Sequence, residues 1–268
     1  MKKGIRGHDV RASGLESICL TAKKYDIEYL QLVLEKSVEG FSVGNFTVEY
    51  ATSLKKQLDD IKIAVLGSYI NPSNPDDFEL NADILKFKEK IKYASILNPI
   101  VVGTETGIFK EGLTDSEEAY QKVLNTLKEL VAEAEKNNVN IGIEGVHLFV
   151  INTPKKMKRL IDDLNSDNVK VIFDPVNYLN NDNYINQDKM INEIFDLLSD
   201  KLCVLHAKDF TIKNGEFKSA KPTEGLLNYK LIFEKLEEYN LEIPIICEEI
   251  NEEDSALIFK KLENIRKK

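Results

Sequence analysis

Eight short apolar runs alternate with eight longer stretches of helical period, and no Pro-, Gly- or Ser-rich linker interrupts the series. The runs place strands near Gly4–Gly7, Tyr29–Leu34, Lys62–Ser68, Ile100–Glu105, Asn140–Glu144, Lys170–Asp174, Leu202–Ala207 and Ile245–Glu248. Helices are expected near Gly14–Tyr25, Val48–Asp59, Asp77–Ile96, Asp115–Lys136, Pro154–Leu164, Asp188–Ser199, Asn228–Tyr239 and Ser255–Arg266. In the fourth of these, Tyr120, Val123, Leu124, Leu127, Leu130, Val131 and Ala134 keep the i, i+3, i+4, i+7 spacing of one buried face, with Lys122, Lys128, Glu129 and Glu135 opposite. Asp115, ahead of Ser116-Glu-Glu118, is its expected N-cap. Strict β/α alternation implies parallel strands joined by right-handed crossovers, and eight such units close into a (β/α)8 TIM barrel. An open doubly wound sheet would carry a G-x-G-x-x-G turn after an early strand, and none follows any of these runs. The chain of 268 residues has the usual length of one such barrel, so residues 1–268 are expected to form a single domain.

Barrel closure gives the strand ends a meaning, because the loops that follow the C-terminal ends of the strands carry the active site in this architecture. Four apolar runs end in a metal-binding side chain: Asn140-Ile-Gly-Ile-Glu144, Val169-Lys-Val-Ile-Phe-Asp174, Leu202-Cys-Val-Leu-His206 and Ile243-Pro-Ile-Ile-Cys-Glu248. The four ligands lie 30, 32 and 42 residues apart, roughly one strand-plus-helix unit each, which puts them on one rim. Three carboxylates and one imidazole form a hard oxygen and nitrogen set suited to one divalent cation, Mn²⁺, Mg²⁺ or Co²⁺, with Zn²⁺ also compatible. Without the cation the carboxylates repel, and one is expected to take up a proton. Glu249 follows Glu248 directly, and since both faces of Ile243–Cys247 are apolar, periodicity alone does not choose between them. Further polar groups at or just past the strand ends are Arg6, His8, Gln31, Tyr69, Asn71, Glu105, His147, Asn177 and Lys208.

Charge and composition exclude several classes of function. A formal charge of -9 argues against a phosphate-backbone partner, and the one basic run, Arg266-Lys-Lys268, reads as a solvated helix end. No apolar stretch approaches the roughly 18 residues of a membrane span, and none of signal-peptide length follows Met1-Lys-Lys3. Cys19, Cys203 and Cys247 are odd in number and lack C-x-x-C spacing, which fits reduced buried thiols and a cytoplasmic location.

The chain resembles the xylose-isomerase-like barrel superfamily, and within it the sugar-phosphate isomerase/epimerase-like members. The resemblance covers nearly the whole chain. It is carried by Ile143-Glu144, Phe173-Asp-Pro-Val-Asn177, His206-Ala-Lys-Asp209 and Pro244-Ile-Ile-Cys-Glu248, with Thr223-Glu-Gly-Leu-Leu-Asn-Tyr229 similar to the family's glycine-containing loop. Val65-Leu-Gly-Ser-Tyr-Ile-Asn-Pro72 and Gly103-Thr-Glu-Thr-Gly107 look like its second and third loop motifs.

The resemblance implies metal ligands at Glu144, Asp174, His206 and Glu248, the last favoured over Glu249 by the Pro-then-three-apolar pattern. It implies aldose–ketose isomerisation or carbon epimerisation through a metal-held enediolate, with Glu144 and Glu248 as base and acid. Arg6, His8, Glu105, His147, Asn177 and Lys208 are the candidates for holding a sugar or sugar phosphate. Asp209, of opposite parity to His206, is expected to orient neighbouring loops. Two departures stand out: Asn177 replaces the His that many epimerases of the superfamily carry three residues after the metal Asp, and Ile212 lies near the place of a basic residue. Barrels of this kind often pair, so a homodimer is among the expectations. The competing readings are an inosose-dehydratase-like lyase, a non-catalytic metal- and sugar-binding barrel, and a repair nuclease of the endonuclease IV type. The nuclease would need many more His ligands than the three present, and a basic rim.

Overall fold

The computed structural model describes residues 1–267. Eight parallel strands close into a barrel: β1 (Lys3–Arg6), β2 (Tyr29–Leu32), β3 (Lys62–Gly67), β4 (Val101–Thr104), β5 (Ile141–Glu144), β6 (Val169–Phe173), β7 (Leu202–Ala207) and, after a hairpin of β8 (Asp209–Lys213) and β9 (Glu216–Ala220), β10 (Ile245–Cys247). Around the ring the order is β1-β10-β7-β6-β5-β4-β3-β2. Each expected strand is present. The helices are α1 (Leu15–Lys24), the short α2 (Leu34–Ser37), α3 (Val48–Leu58), α4 (Asp77–Leu97), α5 (Glu117–Lys136), α6 (Pro154–Leu164), α7 (Gln187–Leu198), α8 (Tyr229–Glu238) and α9 (Glu252–Arg266). No helix among the described residues is long and apolar enough to cross a membrane. In the basic tail Arg266 ends α9 and Lys267 follows as its C-cap, and Lys268 lies outside the described residues.

Two apolar layers hold the barrel. Inside it Tyr29, Ala64, Val65, Val101, Ile172, Cys203, Val204 and Ile246 pack together, while a larger cluster joins the outer faces of the strands to the helices. Because strand side chains alternate between faces, residues two or four beyond an interior position also point inward. Asp174, His206 and Glu248 stand two residues beyond Ile172, Val204 and Ile246. Glu144 stands two beyond Gly142, where a Cβ would press on Ile172 from 3.0 Å. The same period carries Gln31, Tyr69 and Glu105 inward from Tyr29, Val65 and Val101. The mouth is therefore polar because the interior parity of eight apolar strands is continued by polar residues at their ends.

Two local expectations are corrected. Helix α5 is capped by Ser116, whose hydroxyl accepts from the Ala119 N–H at 3.1 Å. Asp115 instead accepts from Asn152 at 3.0 Å and pairs with Lys156, tying the β4 and β5 loops together. The β8–β9 hairpin was not expected at all. It turns at Asn214-Gly215, both with positive φ, and is stiffened by Phe210 stacked on Phe217 at 4.7 Å.

Candidate metal centre

Glu144, Asp174 and His206 bring one ligand atom each to within 4.8 Å of one another, and all three are buried. Glu248 joins them: its Oε1 is 3.3 Å from His206 Nδ1, and Glu144 Oε2 approaches the same nitrogen to 3.4 Å. Glu249 turns away with φ 58° and accepts from the Ser219 hydroxyl at 2.8 Å, which resolves the pair in favour of Glu248 as the inward carboxylate. Asp174 and His206 are 0 % exposed, Glu144 3 % and Glu248 6 %, so their charge needs partners.

Asn177 and Lys208 are those partners. Asn177 Nδ2 donates to Glu144 Oε1 at 2.6 Å, and its backbone N–H donates to Asp174 Oδ1 at 3.0 Å. Lys208 Nζ donates to Asn177 Oδ1 at 2.7 Å and to Glu248 Oε2 at 3.4 Å. It also lies 2.8 Å from Asp174 Oδ2, an ion pair whose angle falls short of a hydrogen bond. Arg6 approaches Glu248 at 3.7 Å and is held by Asp9 at 2.6 Å. The partners engage one oxygen of Glu144, one of Glu248 and both of Asp174, while both ring nitrogens of His206 remain buried without a hydrogen bond. A buried imidazole with no hydrogen bond at either nitrogen, set among three carboxylates, fits a divalent cation in its donor chemistry.

Electrostatics agree with the geometry. Burial opposes a charged His206, but Glu144 and Glu248 outweigh it and hold the ring up to about 9. Burial pushes Asp174 up to about 6, against the pull of Lys208. Glu248 is lowered, since His206, Lys208 and Arg6 together outweigh its burial. Burial, then Glu144, pushes Glu105 up to about 7, and that carboxylate has no ion pair or hydrogen bond among the described residues. Ligation requires a neutral imidazole. A cation that binds below about pH 9 must therefore displace the His206 proton, and below about pH 6 an Asp174 proton as well. Apparent metal affinity is thus expected to rise about tenfold per pH unit between those values and to level off above them. Calorimetric titration with Mn²⁺ in buffers of different ionisation enthalpy counts the proton released. In His206→Ala the release between about pH 6 and 9 should vanish, together with most of the affinity.

The remaining expected residues are distributed around this centre. His8 lies at the edge, with Nε2 4.0 Å from Asp9 and Nδ1 buried without a partner; burial lowers its pKa. His147 makes both of its polar contacts to the Asn177 carbonyl, through its N–H at 2.7 Å and Nδ1 at 3.2 Å, and so braces the β6 loop. Asp209 accepts backbone N–H groups from Phe210, Gly225 and Leu227 at 2.8–2.9 Å and fixes the 223–227 loop, as its parity suggested. A Cβ on Gly225 would stand 2.1 Å from the Phe210 carbonyl oxygen, so only glycine fits there. Tyr178 was missed. Its hydroxyl is buried without a partner beside Glu144 and Asp174, and a Cβ on Gly145 would lie 2.1 Å from it. It sits on a 3-10 turn after Asp174-Pro175, where no strand parity applies.

A closed parallel barrel with its polar residues gathered on the C-terminal rim defines the class. The chain belongs to the xylose isomerase-like TIM barrel family, whose model matches residues 19–268. Among solved structures it is similar to the IOLI protein with a binding zinc atom, at 18% identity over 99% of this chain and 98% of that one, TM-score 0.79. It is also similar to a D-tagatose 3-epimerase-like protein, at 20% identity over 100% and 98% of the two chains, TM-score 0.79. A third is the 3-keto-D-glucoside 4-epimerase YcjR from E. coli in its apo form, at 15% identity over 100% of both chains, TM-score 0.74. Sequence comparison with curated proteins finds no match. At these identities the likeness is one of fold, and activity has to be argued from the site.

Proposed function

We propose that the protein is a divalent-metal-dependent sugar isomerase or epimerase, in which Glu144, Asp174, His206 and Glu248 hold the cation and Glu144 and Glu248 move the proton. The observation that carries this reading is that Glu144 and Glu248 approach one imidazole nitrogen from two strands, at 3.4 and 3.3 Å, so both carboxylates border the same small volume. The zinc reported for the IOLI protein and the epimerases among the structural relatives support it.

A bound divalent cation supplies positive charge beside the substrate's carbonyl and adjacent hydroxyl, which stabilises the anion left by proton removal. Asn177 fixes the rotation of the Glu144 carboxylate through Oε1 and leaves Oε2 facing the site. Lys208 and Arg6 do the same for Glu248 through Oε2. One carboxylate takes the proton next to the carbonyl and a carboxylate returns it. Return to the opposite face of the same carbon inverts it; return to the neighbouring carbon, with the proton of the adjacent hydroxyl passing to the former carbonyl oxygen, exchanges aldose and ketose. The surrounding burial excludes bulk water from the proton in transit.

Incubating Mn²⁺-loaded protein with a panel of sugars and sugar phosphates in D₂O should wash deuterium into a carbon next to the carbonyl, read by NMR. Formation of a conjugated product absorbing in the ultraviolet would identify a lyase instead. No exchange with any member of the panel would leave a binding protein.

A further inference from the structure

The four ligand-bearing strands, β5, β6, β7 and β10, occupy one continuous arc of the ring, and β1 to β4 form the other. The second arc is not apolar at its mouth. Gln31 is 4 % exposed, and its Oε1 is buried without a hydrogen bond. Its Nε2 donates to the Tyr69 hydroxyl at 2.7 Å, which leaves the Tyr69 proton free to be donated. Tyr69 is 36 % exposed, and burial of its hydroxyl, then the charges of Glu144, Glu248 and Glu105, keep it protonated. Glu105 stands just past the end of β4, and its carboxylate has no ion pair or hydrogen bond among the described residues.

All three follow interior strand positions by parity. Gln31 Oε1 is buried without a partner, the Tyr69 hydroxyl accepts from Gln31 and keeps its own proton to donate, and the half-buried Glu105 carboxylate has no protein partner among the described residues. Buried polar groups without partners are rare in folded proteins and call for a ligand or water. We propose that Gln31, Tyr69 and Glu105 form a second wall of the site that binds the distal hydroxyls of an uncharged polyol, so that the protein takes free sugars in preference to their terminal phosphates. The proposal rests on the sugar-enzyme reading above and adds the substrate class.

Charge decides between the two kinds of sugar. The open functions on this wall are a carbonyl oxygen, a carboxylate and one phenolic proton, which match the donors and acceptors of hydroxyl groups. A phosphate dianion here would meet the Glu105 carboxyl group and a single phenolic proton, too few donors to satisfy its oxygens in a partly desolvated setting. The nearby cations are committed: Arg6 to Asp9 and Glu248, Lys208 to Asp174, Asn177 and Glu248. Lys36, which stands near His8, is exposed on α2.

Calorimetric binding to Mn²⁺-loaded protein tests this independently of turnover. The probes are free aldoses and ketoses of five and six carbons, including D-fructose and D-tagatose, each against its own terminal phosphate. The free sugars that bind should do so at least tenfold more tightly than their phosphates. Tyr69→Phe and Gln31→Leu should each weaken that binding by about tenfold with Mn²⁺ affinity unchanged, and Glu105→Gln should narrow the discrimination against phosphate. Phosphates binding as tightly as free sugars, no binding by any free sugar, or variants without effect would each overturn the proposal. If free sugars bind as expected but exchange no deuterium, the wall stands and the isomerase reading falls.

Discussion

Glu144→Gln and Glu248→Gln are each expected to lower turnover by about 10³-fold at saturating metal and substrate, the usual scale of a positioned acid or base. Gln keeps the shape of Glu but neither takes up nor gives back a proton. In Glu144→Gln a second consequence follows from the structure. Glu144 Oε1 accepts from Asn177 Nδ2, while Asn177 Oδ1 accepts from Lys208. If the new amide presents its NH₂ to Asn177, two donors meet. If it presents its oxygen there, the NH₂ faces the metal centre where Oε2 stood, 3.4 Å from His206. Neither orientation preserves both the chain of hydrogen bonds and the ligand, so metal content has to be measured beside the rate. Single-turnover kinetics on fully loaded protein separates the two effects. Turnover within tenfold of the parent for either variant, at full metal occupancy, removes that carboxylate from the proton path.

The parts of this architecture that were legible in the sequence share one physical cause. A parallel strand buried on both faces needs a continuous apolar run, and an outer helix needs one apolar stripe. Ile243–Cys247 and the stripe from Tyr120 to Ala134 are such signals, and both elements formed. The inward groups at the rim follow because the strand period continues past the last apolar residue, as from Ile172 to Asp174 and from Val204 to His206. Strand periodicity alone left Glu248 and Glu249 open and only the family pattern favoured Glu248, because the choice depends on the positive φ that the chain adopts at Glu249 as it leaves β10.

Contacts between loops were much less legible. Asn177 was read as a substrate-holding residue, and the bridge its amide makes between Glu144 and Lys208 was not foreseen. Nothing in the spacing of residues 144, 177 and 208 reveals that three βα loops meet in that order. Asp115 was read as a cap by its position before an acidic turn, and the register moved by one residue to Ser116 because Asp115 found Lys156 and Asn152 across the groove. The β8–β9 hairpin did carry a local signal, Asn214-Gly215 between Phe210, Ile212 and Phe217. It is short and outside the β/α repeat, so the alternation alone passes over it.

The stability of the metal-free protein should depend heavily on one ammonium group. Lys208→Met is expected to destabilise it by about 3–5 kcal/mol, the range for removing one partner of a buried ion pair. That is a large share of the roughly 5–15 kcal/mol that holds an ordinary domain together. Lys208 stands within 3.4 Å of both Asp174 and Glu248, and their charges hold its own pKa well up despite burial. With the ammonium gone, Asp174 and Glu248 face Glu144 with only His206 and the more distant Arg6 for compensation. A divalent cation supplies the missing charge at the same carboxylates. The variant should therefore bind Mn²⁺ more tightly than the parent, and a thousandfold excess over its dissociation constant should return about 4 kcal/mol. Chemical denaturation with and without Mn²⁺ reads both halves of the expectation. Equal metal-free stability of parent and variant would show that Lys208 is no counter-ion. A fall in stability without tighter metal binding would show that the ammonium and the cation do not act on the same carboxylates.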